Sequence, residues 1–273
     1  MTWLSILMPT YNYPEGTKRI LDRLCALPEG VELLISDDSS DATVTTIVAP
    51  FAEASLNYWR NMSTLSPADN WNLLLDRAKG DYVMLLHHDE VPLATDYLQR
   101  LRTEIEAANA DVLVQSVLLM DASLRPLRPH LPQWLRDWVI QNAPEYLFRR
   151  NVIGPTAALV VRRSLYPRFN PALRWLVDVE LYVSLRKATS NWRSAPKLWI
   201  GSVQGAHQSL TLSLKHEIKE VDAAEREMLR ADFPEADRWL GTDRATTLRR
   251  VEQVLWSIFR ITQTISSRIV PPK

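Results

Sequence analysis

Three apolar runs in the first ninety residues each stop in a polar cluster, and helix-patterned segments separate them. Ser5–Met8 runs into Pro9-Thr10-Tyr11-Asn12, Val31–Ser36 into Asp37-Asp38-Ser39, and Tyr82–Leu86 into His87-His88-Asp89-Glu90. Thr17–Leu27 carries Ile20, Leu21, Leu24 and Leu27 at helical spacing. Ala42–Val48 reads as a short helix and Leu56–Trp59 as a strand. Ser66 and Pro67 mark a helix start, with Asp69 in the first turn and Gly80 as the C′ residue. Thr95–Ala108 is helical by pattern, and Val112–Met120 is a strand. This alternation predicts an α/β fold with a mainly parallel central sheet flanked by helices. In such a sheet ligands bind beyond the carboxyl ends of the strands, where all three clusters fall. Any one cluster is ordinary turn and cap chemistry. Three at one sheet edge point to a site.

The pattern changes after residue 121. Residues 122–156 hold Pro126, Pro129, Pro132, Pro144 and Pro155, and read as a loop-rich insertion with at most one short helix. Ala157–Val161 is a strand and Asp178–Thr189 a helix. From Leu214 the chain reads as two helices split near Pro234 and Gly241. The expected division is therefore 1–212 as one domain, with halves 1–121 and 122–212, followed by a helical C-terminal extension, 213–273.

Composition closes several alternatives. Lys+Arg and Asp+Glu each number 32, so bulk charge gives no reason to bind nucleic acid. The 7 glycines form neither a dinucleotide-binding fingerprint nor a P-loop. A single cysteine, Cys25, excludes a disulfide framework and a Cys-based zinc site, and fits a reducing, cytoplasmic compartment. The first residues lack a signal-peptide pattern, and no run of 18 apolar residues occurs. Adjacent His87 and His88 at a strand end point opposite ways, which argues against a shared zinc ion. Trp134, Trp138 and Trp175 read as core residues, with a sugar-stacking platform as the alternative.

Each cluster has a chemical rationale. Tyr11 can stack a nucleobase, and Asp38 can accept from a base N–H or ribose hydroxyls. Asp89, flanked by His88 and Glu90, can hold a hard divalent cation against a diphosphate.

Taken in order, the motifs resemble family 2 glycosyltransferases with the GT-A fold. Residues 5–12 followed by Ile35-Ser36-Asp37-Asp38-Ser39-Ser40-Asp41 are similar to the family's opening. Asn70-Trp71-Asn72, Ala78-Lys79-Gly80-Asp81-Tyr82 and Leu85–Glu90 follow in the family's order, the last matching its metal-binding D-x-D segment. Trp175–Leu181 resembles the E-D-x-[DE]-L motif. The resemblance spans about residues 3–210. It implies an inverting transfer from a nucleoside-diphosphate sugar, UDP-type, to a glycan or lipid-linked acceptor, assisted by Mn²⁺ or Mg²⁺. By the same resemblance Pro9, Tyr11, Asn12, Asp38, Asn72 and His88 hold the donor. Asp89 and His207 ligate the cation, and Asp178 is the general base.

Three departures bear on this. His87 stands where the family has the first acidic residue of D-x-D, and Val177 stands where another acid precedes the base. The turn after Asp38 is one residue shorter than usual. An inactive sugar-nucleotide or glycan-binding module is the rival reading. A nucleotidyltransferase is disfavoured because residues 7–19 contain one glycine, Gly16, and no Gly-rich phosphate loop. Leu248, Val251, Leu255, Ile258, Thr262, Ile265 and Ile269 form a heptad stripe in a tail with six basic residues against Glu252 alone. That stripe is expected to pack on the domain, to lie on the inner face of a membrane, or to form a homodimer seam.

Overall fold

The computed structural model describes residues 1–24, 26–51, 55–205, 214 and 216–240. His207 and the heptad tail lie outside the described residues.

Strands β1 (Leu4–Thr10), β2 (Val31–Asp37), β3 (Leu56–Arg60) and β4 (Tyr82–Leu85) form a parallel set in the order β3-β2-β1-β4. Their helices are α1 (Pro14–Arg23), α2 (Thr43–Val48) and α3 (Pro67–Arg77). Side chains alternate across β1: Leu4, Ile6 and Met8 pack with α1, α2 and α4 (Tyr97–Ala108), while Leu7 packs with Trp71 and Leu74 of α3. Both faces are buried, so the strands read as continuous apolar runs.

The expected parallel order stops at β4. Strand β8 (Leu159–Arg162) runs antiparallel between β4 and β6 (Val112–Met120). β9 (Trp192–Val203) then lies parallel to β6 and carries β5 (Glu90–Pro92) antiparallel on its far edge. β7 (Pro126–Pro129) pairs with β6. The single sheet therefore takes strands from both sides of residue 121, and the order β3-β2-β1-β4-β8-β6-β9-β5 ties them together. The sequence pattern missed β9 because Pro196 interrupts it. In the structure the register between β6 and β9 shifts around that proline, a bulge where a missing N–H is tolerated.

Ser66 caps α3 as expected, its Oγ accepting from the Asp69 N–H at 3.1 Å. Gly80 is not the C′ residue, because α3 ends at Ala78 in an extended conformation. Gly80 is required by close approach instead: its N–H donates to Ser5 Oγ at 2.8 Å, and a Cβ there would sit 2.5 Å from the Ser5 nitrogen. The insertion at 122–156 holds one α-helix, α5 (Gln133–Asn142), and a 3₁₀ helix at Pro144–Phe148. Trp134 and Trp138 on it are 63% and 56% exposed, so neither is a core residue. Helix α6 (Val177–Ala188) follows, then α7 (Ile218–Asp232) and a short α8 (Asp237–Leu240). Among the described residues no helix is long and apolar enough to cross a membrane.

Candidate active site

A cleft of about 1090 Å³ opens at the carboxyl ends of β1, β2 and β4. Pro9, Tyr11, Asp38, His88, Asp89 and Asp178 all contribute to its wall. The parallel ladder explains the first five: β1, β2 and β4 are in register, so the residues at or just past the end of each strand arrive at one edge.

Asp38 is buried and accepts from Asn61 Nδ2 at 2.7 Å and from the Leu65 N–H at 3.4 Å. Burial pushes its carboxyl above the ordinary range against those two hydrogen bonds. The Tyr11 N–H donates to His88 Nδ1 at 3.3 Å. Burial and the neighbouring His87 bring the His88 pKa down to about 3, so the ring is neutral with its proton on Nε2. Gly16 allows this packing, since a Cβ there would sit 2.2 Å from the His88 carbonyl oxygen.

Two residues expected at the donor are hydrogen-bonded within the protein. Asn12 adopts a left-handed backbone (φ 46°) and its Oδ1 accepts from the Ser40 N–H and hydroxyl. Its amide clips the β1 and β2 loops together. Asn72 is buried and does not reach the cleft: Nδ2 donates to Phe169 O at 2.8 Å, while Oδ1 accepts from the Phe169 N–H at 2.9 Å. Both ends of the amide are engaged in joining α3 to the segment before α6.

Around Asp89 the pattern is acidic. Burial first, then the Glu90 charge, pushes the Asp89 carboxyl up to about 6. Glu90 is itself turned towards His87, accepting the His87 N–H at 2.8 Å and facing its Nδ1 at 3.5 Å. His87 packs edge-on against Trp71, with ring centroids 5.0 Å apart. Burial opposes its charge, but Glu90, Asp89 and Asp178 together hold its pKa above the ordinary value. His87 therefore couples electrostatically to carboxylates from both sides of the cleft.

Asp178 sits in the first turn of α6. Its Oδ1 accepts from the Val179 N–H at 2.8 Å and its Oδ2 from Asn151 Nδ2 at 2.8 Å. Burial raises its pKa to about 6 despite these bonds and the His87 charge. Sequence reasoning missed the residues that aim it. Asn151 is fixed by an Asx turn, with Oδ1 accepting from the Ile153 and Gly154 N–H groups, and Gly154 takes a φ of 108°. Glu225 of α7 is 3% exposed and reaches back to the start of α6, accepting from the Arg174, Trp175 and Leu176 N–H groups. A carboxylate there satisfies orphan amides and suits the positive end of the helix. The only signal in the sequence was an acid on the apolar side of an otherwise amphipathic helix.

The sequence matches the model of Glycosyl transferase family 2 over residues 5–167. The chain belongs to that family. Among solved structures it is similar to S. aureus TarS. Residues 1–349 of that protein in complex with UDP-GlcNAc give a TM-score of 0.63 at 17% identity, covering 88% of this chain and 70% of that one. The UDP complex gives 0.60, and the longer TarS structure 0.59 with 42% of its length covered. Among curated proteins none matches significantly. The fold is GT-A-type and the chain is a glycosyltransferase.

Family 2 enzymes of this fold commonly take a divalent cation, and the donor set can be tested against one. Among the described residues no three His, Cys, Asp or Glu side chains converge as a metal cage. Asp89 lines the cleft while Glu90 is engaged by His87. Mg²⁺-type ions are usually held by one or two carboxylates together with substrate phosphates and water. Asp89 fits that minimal role as the protein's anchor.

Proposed function

We propose that this glycosyltransferase moves a sugar from a UDP-sugar to a glycan or lipid-linked hydroxyl with inversion, using Asp178 as general base. The observation that carries the reading is that one cleft brings Asp38, Asp89 and Asp178 together, with Asp178 held by two hydrogen bonds. That the similar protein TarS was crystallised with UDP-GlcNAc and with UDP supports a uridine donor.

In this reading Tyr11, Pro9 and His88 line the nucleoside site, and Asp38 accepts from the base or ribose. Asp89 would hold a divalent cation, which when bound would offset charge on the departing diphosphate. The acceptor hydroxyl attacks the anomeric carbon as the bond from that carbon to the diphosphate oxygen breaks. Asp178 takes the hydroxyl proton. One displacement from the face opposite the leaving group inverts the centre. A carboxyl with a pKa of about 6 is ionised at neutral pH yet more basic than an exposed aspartate, which suits a general base.

The test is UDP binding by calorimetry, then transfer assayed with a panel of UDP-sugars, the product anomer being read by NMR. Protein that binds UDP yet transfers from no donor supports the inactive-module reading instead. A product of retained configuration would overturn the single-displacement assignment.

A further inference from the structure

The cleft is electrically lopsided although the chain as a whole balances 32 basic against 32 acidic residues. Among the described residues, those before 122 give its wall Asp38, Asp89 and Glu90, and no lysine or arginine. The described residues after 122 give it Arg128, Arg149, Arg150, Arg174 and Arg226 against one carboxylate, Asp178. Four of these arginines adjoin the residues that hold Asp178, and Arg128 lies on β7. Arg149 and Arg150 immediately precede Asn151, whose amide bonds Asp178. Arg174 stands in the turn that Glu225 ties to α6, and Arg226 follows Glu225 on α7.

Their present partners differ. Arg226 pairs with Asp222 at 2.7 Å and donates to Trp239 O, which makes it part of the scaffold. Arg174 meets Glu217 at 3.3 Å with both side chains 56% exposed, an arrangement that contributes little. Arg128 donates to the carbonyls of Pro129 and His130, which do not neutralise its charge.

A neutral sugar gives no reason to gather guanidinium groups around its point of attack, where their mutual repulsion disfavours the fold. The donor diphosphate has its place on the other wall, beside Asp89. We infer that the acceptor is anionic, carrying phosphate or carboxylate groups close to the hydroxyl that receives the sugar. Guanidinium groups suit planar and tetrahedral oxyanions through paired N–H donors. The inference deepens the proposed function and rests on it. A charged polymer and an anionic lipid headgroup offer the same chemistry.

The experiment uses the full chain saturated with UDP and Mn²⁺, so that the donor side is filled. Hexagalacturonic acid and its fully methyl-esterified form are titrated in parallel, as are phosphatidylglycerol and phosphatidylcholine vesicles. The charged member of a pair should bind and its neutral twin should not, with affinity falling as salt rises. Binding confined to the acid assigns a polymer, and binding confined to phosphatidylglycerol assigns a headgroup. Arg128→Gln, Arg149→Gln and Arg174→Gln should each weaken that binding about two- to fivefold and leave UDP affinity unchanged. The salt series on the unaltered protein gives the same answer should a variant fold poorly. Normal UDP binding without preference for either charged probe overturns this inference alone. UDP affinity that falls in step with the arginine substitutions would assign them to the donor and also overturn it. Absence of UDP binding overturns the proposed function and this inference together.

Discussion

In Asp178→Asn the side chain keeps its shape and loses its charge, so stability and turnover are expected to move in opposite directions. In the folded protein the Asp178 carboxyl holds its proton up to about pH 6, against 3.8 in an unperturbed aspartate. Between those values the folded state binds more protons than the unfolded chain, so stability falls as pH rises across the window. Above pH 7 the buried charge costs roughly 3 kcal/mol, at about 1.36 kcal/mol per pH unit. Asn removes that cost but retains one acceptor oxygen for the two donors, Val179 N–H and Asn151 Nδ2, losing about 1 kcal/mol. The net gain is about 2 kcal/mol, which raises the melting temperature by roughly 4–8 °C in a domain of this size. Thermal unfolding at a series of pH values checks it. The advantage should be largest at pH 8 and shrink steadily towards pH 4 as the parent protein takes up its proton. Transfer should fall about 10²–10⁴-fold, the usual contribution of a positioned general base. A variant that melts at or below the parent at pH 8, or whose offset does not change with pH, would refute the buried-carboxylate argument. Turnover within a few-fold of the parent would leave Asp178 as a helix-start residue only, and Glu180 would be tested next.

The other expectations are shorter. Turnover should fall on the acid side with an apparent midpoint near pH 6, because Asp178 must be ionised to accept a proton; a pH–rate profile flat down to pH 5 contradicts this. Glu225→Gln removes the charge that gathers three amides ahead of α6 and should lower kcat about ten- to hundredfold through misplacement of the base, with UDP affinity unchanged. An unaltered kcat would make Glu225 a cap and nothing more. Asn72→Ala strands the Phe169 N–H and C=O and should destabilise by about 2–4 kcal/mol while UDP affinity per folded molecule persists. Asp89→Ala should bind UDP equally with and without Mn²⁺; a variant keeping the parent's Mn²⁺ enhancement would remove Asp89 from the cation site.

Where the sequence was read correctly, local chemistry decided the structure. The Ser66-Pro67 start of α3 and the apolar runs of β1, β2 and β4 depend on neighbours in the chain, and the parallel register then carries Tyr11, Asp38 and Asp89 to one edge. Misreadings arose where distant contacts overrode local signals. Asn72 lies inside a motif segment, yet its amide is consumed by Phe169, 97 residues away. Gly80 has the position of a helix terminator but is required because the backbone of β1 passes too close for a Cβ. Pro196 argues against a strand when read alone, and only pairing with β6 shows that the bulge accommodates it. Trp134 and Trp138 have the composition of a core and face solvent, which no periodicity within a ten-residue helix could decide.

The base illustrates how far this non-local dependence extends. The family match ends at residue 167, before Asp178, so the matched segment carries strands β1–β4 and not the proposed base. Asp178 is instead oriented from two other directions. Asn151, in the proline-rich insertion, holds one carboxylate oxygen, and Glu225, on α7, gathers the amides of the turn that precedes α6. Neither partner has a spacing relation to Asp178 that a motif could encode, since both act through tertiary contact. On the proposed reading, the insertion and the C-terminal helices therefore set the acceptor side of the cleft. Those segments, together with Arg174 in the turn before α6, supply the arginines of the cleft, so the proposal places base positioning and acceptor charge in one part of the chain. Exchanging the acceptor half for that of a relative should consequently move both together, altering acceptor preference and the pH–rate midpoint while UDP affinity stays with the first 121 residues. A chimera whose UDP affinity followed the exchanged half would break that division.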